Sequence, residues 1–361
     1  MVLKFKNKIA KKESQHYLVH QMKLADTLNF IAKASIYKTW NASKIVSSYY
    51  LSKWLNRPIQ WGLPISISIE PTTDCNLGCP ECPSGVKFFT RPTGYLDMVL
   101  FEKFLSQTAS HLFYLYYYFQ GEPYLHPQFL DMVKMAADKK IYTVTSTNGH
   151  FLSGKKAALT VASGLDRIII SLDGTTQETY AKYRIGGKYE RVIEGIRNLV
   201  AAKKEADSNT PHIVLQFIVM QHNEHQIAEV KKLATELAVD ELKLKSVQVY
   251  DLKNNSALIP TNTDFARYQE QDGELKIKSN LLNHCWKLWH SCVVTWDGKI
   301  APCCFDKDAS HRMGDLQSAS FASIWKNETY QRFRANIITA RANIDICTNC
   351  SEGIDVWLEN D

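Results

Sequence analysis

Three cysteines fall within eight consecutive positions, Cys75, Cys79 and Cys82, in the segment Pro71-Thr72-Thr73-Asp74-Cys75-Asn76-Leu77-Gly78-Cys79-Pro80-Glu81-Cys82. Thiolates at C-x3-C-x2-C spacing on one loop suit three corners of a cubane iron–sulfur cluster and leave one iron open to an outside ligand. The competing reading is a zinc knuckle, which closes its coordination with four protein ligands; no histidine stands nearby to be the fourth. Six more cysteines follow position 284: Cys285, Cys292, Cys303, Cys304, Cys347 and Cys350. Nine is an odd number, the chain is 361 residues long and its start lacks an export signal, so a disulfide framework is a poor reading. Two metal centres in a reducing, cytoplasmic setting are expected instead.

A scaffold must hold these thiols, and the chain around them alternates β-rich runs with helical patterns. The runs are Ile65–Glu70, Leu112–Phe119, Ile141–Ser146, Arg167–Leu172, Ile213–Val219 and Leu242–Val247; helical stretches between them include Pro127–Lys140, Tyr189–Lys204 and Glu224–Ala238. Repeated strand–helix–strand units imply parallel strands joined by right-handed crossovers. The expected fold is α/β, a partial (β/α)6 TIM-like barrel over residues 65–270, with its chemistry on loops at the carboxyl ends of the strands. The cysteine loop directly follows the first run. Residues 1–64 are expected to form a basic helical extension, and residues 271–361 a small cysteine-rich domain. In that domain Val293–Trp296 and Lys299–Ala301 flank Asp297-Gly298, a hairpin signal favouring a type I′ turn, and Ser320–Arg334 patterns as one helix.

The cysteine loop after a first barrel strand resembles the radical S-adenosylmethionine (SAM) superfamily. The resemblance implies a SAM-binding [4Fe–4S] cluster on Cys75, Cys79 and Cys82. Its open iron would take the amino and carboxylate groups of S-adenosyl-L-methionine, and reductive cleavage would give a 5′-deoxyadenosyl radical that abstracts a substrate hydrogen. Segments at later strand ends extend the likeness. Gln120-Gly121-Glu122-Pro123 resembles the family's Gly-Glu motif, which implies that Gly121 and Glu122 meet the SAM amino group. Ser146-Thr147-Asn148-Gly149 puts Asn148 where the family often contacts the ligand. Ser171-Leu172-Asp173-Gly174 puts Ser171 and Asp173 near the ribose, and Tyr183-Arg184 puts Arg184 where it meets the SAM carboxylate. The family often has an aromatic residue before the third cysteine, against the adenine; here Glu81 stands in that position.

The later cysteines resemble the SPASM/twitch extension of radical SAM enzymes. Cys285 is followed after twelve residues by Gly298 and four residues later by Cys303, with Cys347 and Cys350 forming a C-x2-C pair. The chain lacks the C-x2-C-x5-C-x3-C run of the two-cluster form. The resemblance therefore implies one auxiliary [4Fe–4S] cluster ligated by Cys285, Cys303, Cys347 and Cys350. Cys292 and Cys304 are left over, with Cys304 the replacement if the assignment shifts by one. Four thiols also suit a structural zinc site, which the residues alone leave open.

Net charge is +6, but the first 60 residues hold 11 Lys and Arg against 2 Asp and Glu, whereas the remainder holds 32 against 35. Basic character thus belongs to the N-terminal segment, where Leu24, Leu28, Ile31, Ile45, Tyr49, Trp54 and Leu55 recur at rough helical spacing. Such a segment serves either as a cap on the barrel or as a peripheral contact with an anionic membrane surface. No apolar run approaches membrane-spanning length. The slightly acidic body argues against nucleic-acid binding. His222-Asn223-Glu224-His225 lacks the H-E-x-x-H spacing of a metal box, and Asn223 is expected to cap the helix that follows. The Tyr114–Tyr118 run is expected to be a buried strand, with alternate tyrosines available to line the barrel cavity.

The expected function is that of a radical SAM oxidoreductase or maturase, with the auxiliary cluster accepting the second electron of an oxidation. A small polyol- or aminocyclitol-like substrate is the first expectation, because the single auxiliary cluster resembles dehydrogenases of that kind. A peptide or protein side chain is the alternative. A low-potential reductase, flavodoxin or ferredoxin would donate the priming electron. A reading from a different class is a non-catalytic iron–sulfur electron carrier or metal-stabilised binding module. No residue is singled out as the catalytic base.

Overall fold

A computed structural model describes residues 24–271 and 273–353. Six parallel strands pair in chain order: β1 (Ser66–Ile69), β2 (Tyr114–Tyr116), β3 (Tyr142–Thr147), β4 (Arg167–Ser171), β5 (His212–Val219) and β6 (Glu241–Ser246). Helix α1 (Ile36–Leu55) precedes them. The crossovers are α2 (Met98–Thr108), α3 (Phe129–Asp138), α4 (Gly154–Ala162), α5 (Tyr189–Glu205) and α6 (Ile227–Glu236). The strands are rich in β-branched and aromatic residues because their two faces meet helices on one side and the barrel interior on the other.

The tyrosine-rich run narrows to three strand residues, and its side chains divide by parity. Tyr117 is fully buried and its hydroxyl donates to the Met132 carbonyl on α3 at 2.7 Å. Tyr114 and Tyr116 stack on each other at 5.9 Å, and Phe30 stacks on Tyr114 at 4.6 Å.

Phe30 belongs to helical residues 24–32, which with α1 cover the amino ends of the strands. The bonds that hold this cap are polar and meet the residues just before each strand. Asn41 exchanges two hydrogen bonds with Leu63, before β1, at 2.6 and 2.9 Å. The Lys38 ammonium donates to the Lys140 carbonyl, before β3, at 2.6 Å. Lys33 and Asn29 both reach Asp166, before β4, and Asp26 pairs with Arg167. Loose strand-end carbonyls need donors, and this helix face supplies them.

The C-terminal segment extends the barrel sheet. After the hairpin β7 (Tyr268–Gln271) and β8 (Glu274–Ile277), strand β9 (Ser291–Val294) lies parallel to β1 with Cys292 opposite Ile67. Strands β10 (Lys299–Ala301) and β11 (Gly314–Asp315) follow antiparallel, so one nine-stranded sheet runs β11-β10-β9-β1-β2-β3-β4-β5-β6. The β9–β10 turn is not type I′, which needs positive φ at two central residues. Only Gly298 in this loop has positive φ (82°), and the Thr295 amide bonds the Lys299 carbonyl across a three-residue loop. The expected single helix is two, α7 (Phe321–Lys326) and α8 (Glu328–Ala340), because Asn327 breaks the run and caps α8 through the Tyr330 amide.

The C-terminal tryptophans fasten this domain to the N-terminal segment. The Trp289 and Trp325 indoles donate to the Ile59 and Gly62 carbonyls at 2.9 and 3.0 Å, and Tyr49 packs edge-on against Trp286 and Trp289. Among the described residues, no helix is long and apolar enough to cross a membrane.

Candidate metal centres and active site

The cysteine loop leaves the sheet from a clamped base. Glu70 directly follows β1, is fully buried, and accepts two hydrogen bonds from Arg91 at 2.6 and 2.8 Å. It also accepts the Trp296 amide of the β9–β10 loop at 3.2 Å. Beyond it, the Gly78 amide bonds the Ile185 carbonyl and the Cys82 amide bonds the Cys79 carbonyl. Cys79 is buried, while Cys75 and Cys82 are half-buried. Burial pushes the Cys75 thiol up to about 12 and raises the Cys79 thiol as well, although the Arg184 guanidinium 3.8 Å from the Cys79 sulfur opposes this. Thiols kept protonated by burial would lose their protons to solvent when their sulfurs bind a metal centre.

The other strand-end residues close around this loop. Gly121 has φ of 75°, and a Cβ there would lie 2.2 Å from the Thr72 carbonyl oxygen; only glycine permits the approach that lets the Glu122 amide bond Asp74 at 2.7 Å. The Glu122 carboxylate is buried and accepts from the Thr147 hydroxyl (2.7 Å), the Asn148 amide (2.7 Å) and the Tyr124 amide (3.2 Å). Burial nevertheless raises it to about 7. The Asn148 side chain donates to Asn76, inside the cysteine loop, at 2.7 Å. Asp173 is fully buried, accepts the Ile218 amide at 2.8 Å, and pairs with the Arg184 Nε at 2.5 Å. Burial opposes the Arg184 charge, but Asp173 and Cys79 outweigh it and keep the guanidinium protonated. Glu122, Asn148, Asp173 and Arg184 thus gather at the cysteine loop. Ser171 ends β4, buried and opposite Gln216, and takes no part in this network among the described residues.

Sequence reasoning missed several connecting residues. Glu81, in place of an aromatic, accepts the Tyr250 amide at 2.8 Å and ties the loop to the segment after β6. The Ser84 hydroxyl accepts the Gly121 amide at 2.8 Å. Asn223 does not cap the following turn. Its side chain accepts the Met220 amide and donates to the Asp173 and Ile218 carbonyls, stapling the end of β5 to the Asp173 loop. An asparagine just after a strand, beside an uncovered strand end, was the available signal.

The second centre forms where three distant segments meet. Cys285, Cys303, Cys347 and Cys350 line one cavity with Leu288, Phe333 and Arg341. Cys304 is next to Cys303 but does not line it, and Cys292 lies in the hydrophobic core. Gly353 backs onto Cys285 so closely that a Cβ would lie 2.6 Å from its sulfur. The Cys350 sulfur accepts the Glu352 amide at 3.3 Å and the Arg341 guanidinium at 3.5 Å. Burial pushes Cys347 up to about 11 and Cys350 up to about 12, against the Arg341 charge. The four thiols ring one cavity, with Lys287 and Glu352 also on its wall. Four thiols are the donor chemistry of an iron–sulfur cluster.

Comparison with known proteins matches the radical SAM superfamily over residues 69–234 and an iron–sulfur cluster-binding domain, SPASM, over residues 285–351. The chain is a radical SAM superfamily member. It is 25% identical over 324 residues to the tungsten-containing aldehyde ferredoxin oxidoreductase cofactor-modifying protein of Pyrococcus furiosus, covering 78% of this chain and 86% of that one. It is 26% identical over 302 residues to the PqqA peptide cyclase of Bradyrhizobium diazoefficiens, covering 76% of each. Among solved structures, BtrN in complex with AdoMet and 2-DOIA matches with a TM-score of 0.51 and 20% identity, over 82% of this chain and 96% of that chain.

This radical SAM protein is therefore an enzyme, and the reading as a non-catalytic carrier falls. Its cofactors are SAM and [4Fe–4S] clusters. The donor chemistry of the two cysteine sets accords with them: three thiols beside buried polar groups in one place, four thiols around a cavity in the other.

Proposed function

We propose that this enzyme oxidises its substrate by two electrons, one leaving with a hydrogen atom and one passing to the auxiliary cluster. The observation that supports this most is the unequal thiol count: three on the loop after β1, and four around the C-terminal cavity. An open iron suits SAM, and a closed cluster suits electron transfer and not substrate ligation. When bound, the first cluster and SAM supply the 5′-deoxyadenosyl radical that takes a substrate hydrogen.

The chain's own residues orient the cofactor. Cys75, Cys79 and Cys82 hold the first cluster, and Cys285, Cys303, Cys347 and Cys350 hold the auxiliary one. Glu122 receives the SAM amino group, its carboxylate already fixed by Thr147, Asn148 and Tyr124. Gly121 provides the close turn. Ser171 and Asp173 serve the ribose side, and Arg184, oriented by Asp173, faces the SAM carboxylate. The division of labour follows residues 1–64 as N-terminal extension, 65–270 as SAM core and 271–361 as auxiliary domain.

The substrate class best supported is a peptide or protein side chain, since the PqqA peptide cyclase relative aligns over 76% of this chain. A small polyol- or aminocyclitol-like substrate stands second, on the single four-thiol cavity. A low-potential reductase, flavodoxin or ferredoxin supplies the priming electron. The reducing cytoplasm suits nine thiols without a disulfide.

Anaerobic reduction with dithionite in the presence of SAM tests the reading. Formation of 5′-deoxyadenosine is expected, lost in Cys79→Ala and retained without substrate oxidation in Cys347→Ala. Fully reconstituted protein that yields no 5′-deoxyadenosine would refute it. Equal loss of both activities in Cys347→Ala would remove the electron-acceptor role.

A further inference from the structure

Helix α1 is turned inside out. Its inner face, against the barrel, carries Lys38, Asn41, Ser48 and Ser52 beside Ile45 and Tyr49. Its outer face carries Ile36, Trp40, Tyr50 and Trp54, which are 91, 65, 51 and 77% exposed. At 3.6 residues per turn these four lie within an arc of about 80° and extend along about 27 Å of helix. Tyr37 and Trp61 add exposed rings nearby. A solvated face would carry only polar residues; here four large apolar and aromatic side chains share it with the exposed Ser43 and Ser47. Scattered exposed apolar residues need no explanation, but large side chains gathered in pairs at both ends of one helix face do.

The charge around the stripe has one sign. Between Asp26 and Glu70 the sequence contains no Asp or Glu. Lys53 and Arg57 are exposed at the end of α1, and the sequence of residues 1–23 adds six lysines against one glutamate. Asp26 itself is paired with Arg167. The remainder of the chain is slightly acidic. Tryptophan and tyrosine are the side chains that settle at the headgroup level of a bilayer, and lysine and arginine beside them meet anionic lipid.

We propose that the outward face of α1 docks the enzyme peripherally on an anionic phospholipid surface. Its aromatic rings enter the interface, and the basic residues pair with headgroups. The helix covers the amino ends of the barrel strands, while the cysteine loop leaves from the carboxyl end of β1. Docking therefore leaves the cluster side facing water, open to its electron donor and substrate. This placement is independent of the substrate class proposed above.

The test is cosedimentation of the full-length, anaerobically prepared protein with vesicles of phosphatidylglycerol and phosphatidylcholine, and with phosphatidylcholine alone. Binding to the anionic vesicles at low ionic strength is expected, weakened by salt and by omission of phosphatidylglycerol. The double variant Trp40→Ser, Trp54→Ser should bind at least about tenfold more weakly. Lys53→Glu with Arg57→Glu should also weaken binding, and both should leave 5′-deoxyadenosine formation unchanged. Because the substituted side chains are exposed, circular dichroism should match the parent. No binding to anionic vesicles, or undiminished binding of the tryptophan variant, would overturn the proposal. So would a dimer in sedimentation analysis that the tryptophan substitutions dissociate, since a second copy would then be what covers the stripe.

Discussion

The Glu70–Arg91 pair makes an asymmetric prediction about stability. Both side chains are almost completely buried, and the pair joins the end of β1 to the returning loop and, through the Trp296 amide, to the auxiliary hairpin. Burial raises the Glu70 carboxyl even though Arg91 pulls it down, so desolvation outweighs the attraction. Such a pair contributes little net stability, yet removing one partner strands the other. The two halves should then differ. In Glu70→Leu the guanidinium cannot shed its charge, so the loss should be about 3–5 kcal/mol at any pH from 6 to 8. In Arg91→Met the carboxyl can take up a proton, so the loss should be smaller at low pH. It should grow by up to about 1.4 kcal/mol per pH unit as pH rises from the ordinary carboxylate range towards the raised folded value, and level off above it. The double variant should recover most of the stability. Urea unfolding of anaerobically prepared proteins at pH 6 and 8, with iron content measured in parallel, reads all three. Equal, pH-independent losses in the two single variants, or a double variant as poor as their sum, would refute the reasoning.

Arg341 lies against the auxiliary thiols, and a positive charge there favours the reduced cluster. Arg341→Met should lower its midpoint potential by tens to somewhat over a hundred millivolts, from a Coulomb energy of about 1–4 kcal/mol across about 4 Å; Arg341→Lys should restore part of it, read by redox titration with electron paramagnetic resonance. Glu122 is raised by burial from the usual carboxylate range to about 7, so the folded, SAM-free protein binds a proton there that the unfolded chain does not. Stability should therefore fall by about 1.4 kcal/mol per unit as pH rises from about 5 to 7 and level off above, and the difference between parent and Glu122→Gln should isolate that slope. Gly121→Ala should cost stability and SAM binding, since its Cβ meets the Thr72 carbonyl at 2.2 Å with φ positive, while Gly154→Ala, with open space around it, should be neutral or stabilising by thermal unfolding.

What the sequence disclosed followed from local pattern. The six strand runs stand within a residue or two of their positions, except the tyrosine run, where three residues pair as strand. The family resemblance carried by the cysteine pattern implied both thiol sets, and the four later cysteines it named line one cavity. Three features were hidden. The pairing of β9 with β1 joins residues more than 200 positions apart, and no local signal announces it. The apolar spacing of residues 24–55 mixed two faces: Ile45 and Tyr49 point inward, Trp54 and Leu28 outward. A helix facing strand-end carbonyls needs donors and not alkyl groups, so the usual link between apolar and buried fails there. Glu81 read as a departure from family pattern, while its bond to the Tyr250 amide appears only once the segment after β6 is in place.

The shared sheet bears on how two redox centres communicate. Were the auxiliary domain joined by a linker alone, the separation of the two thiol sets would vary with its motion. Instead β9 lies in register along all four residues of β1, the strand that delivers Cys75, Cys79 and Cys82, and the adjoining β10 delivers Cys303. Glu70 fastens that junction at the point where the first loop departs. On the other side, the segment after β6 touches both centres: the Tyr250 amide bonds Glu81, and the Gln248 side chain bonds the Asn349 carbonyl between Cys347 and Cys350. Burial opposes the Lys307 charge, but Tyr250, Cys304, Cys82 and Cys303 together outweigh it. Electron transfer falls steeply with distance, so a continuous sheet and a bridging segment make the separation of the centres a property of the fold.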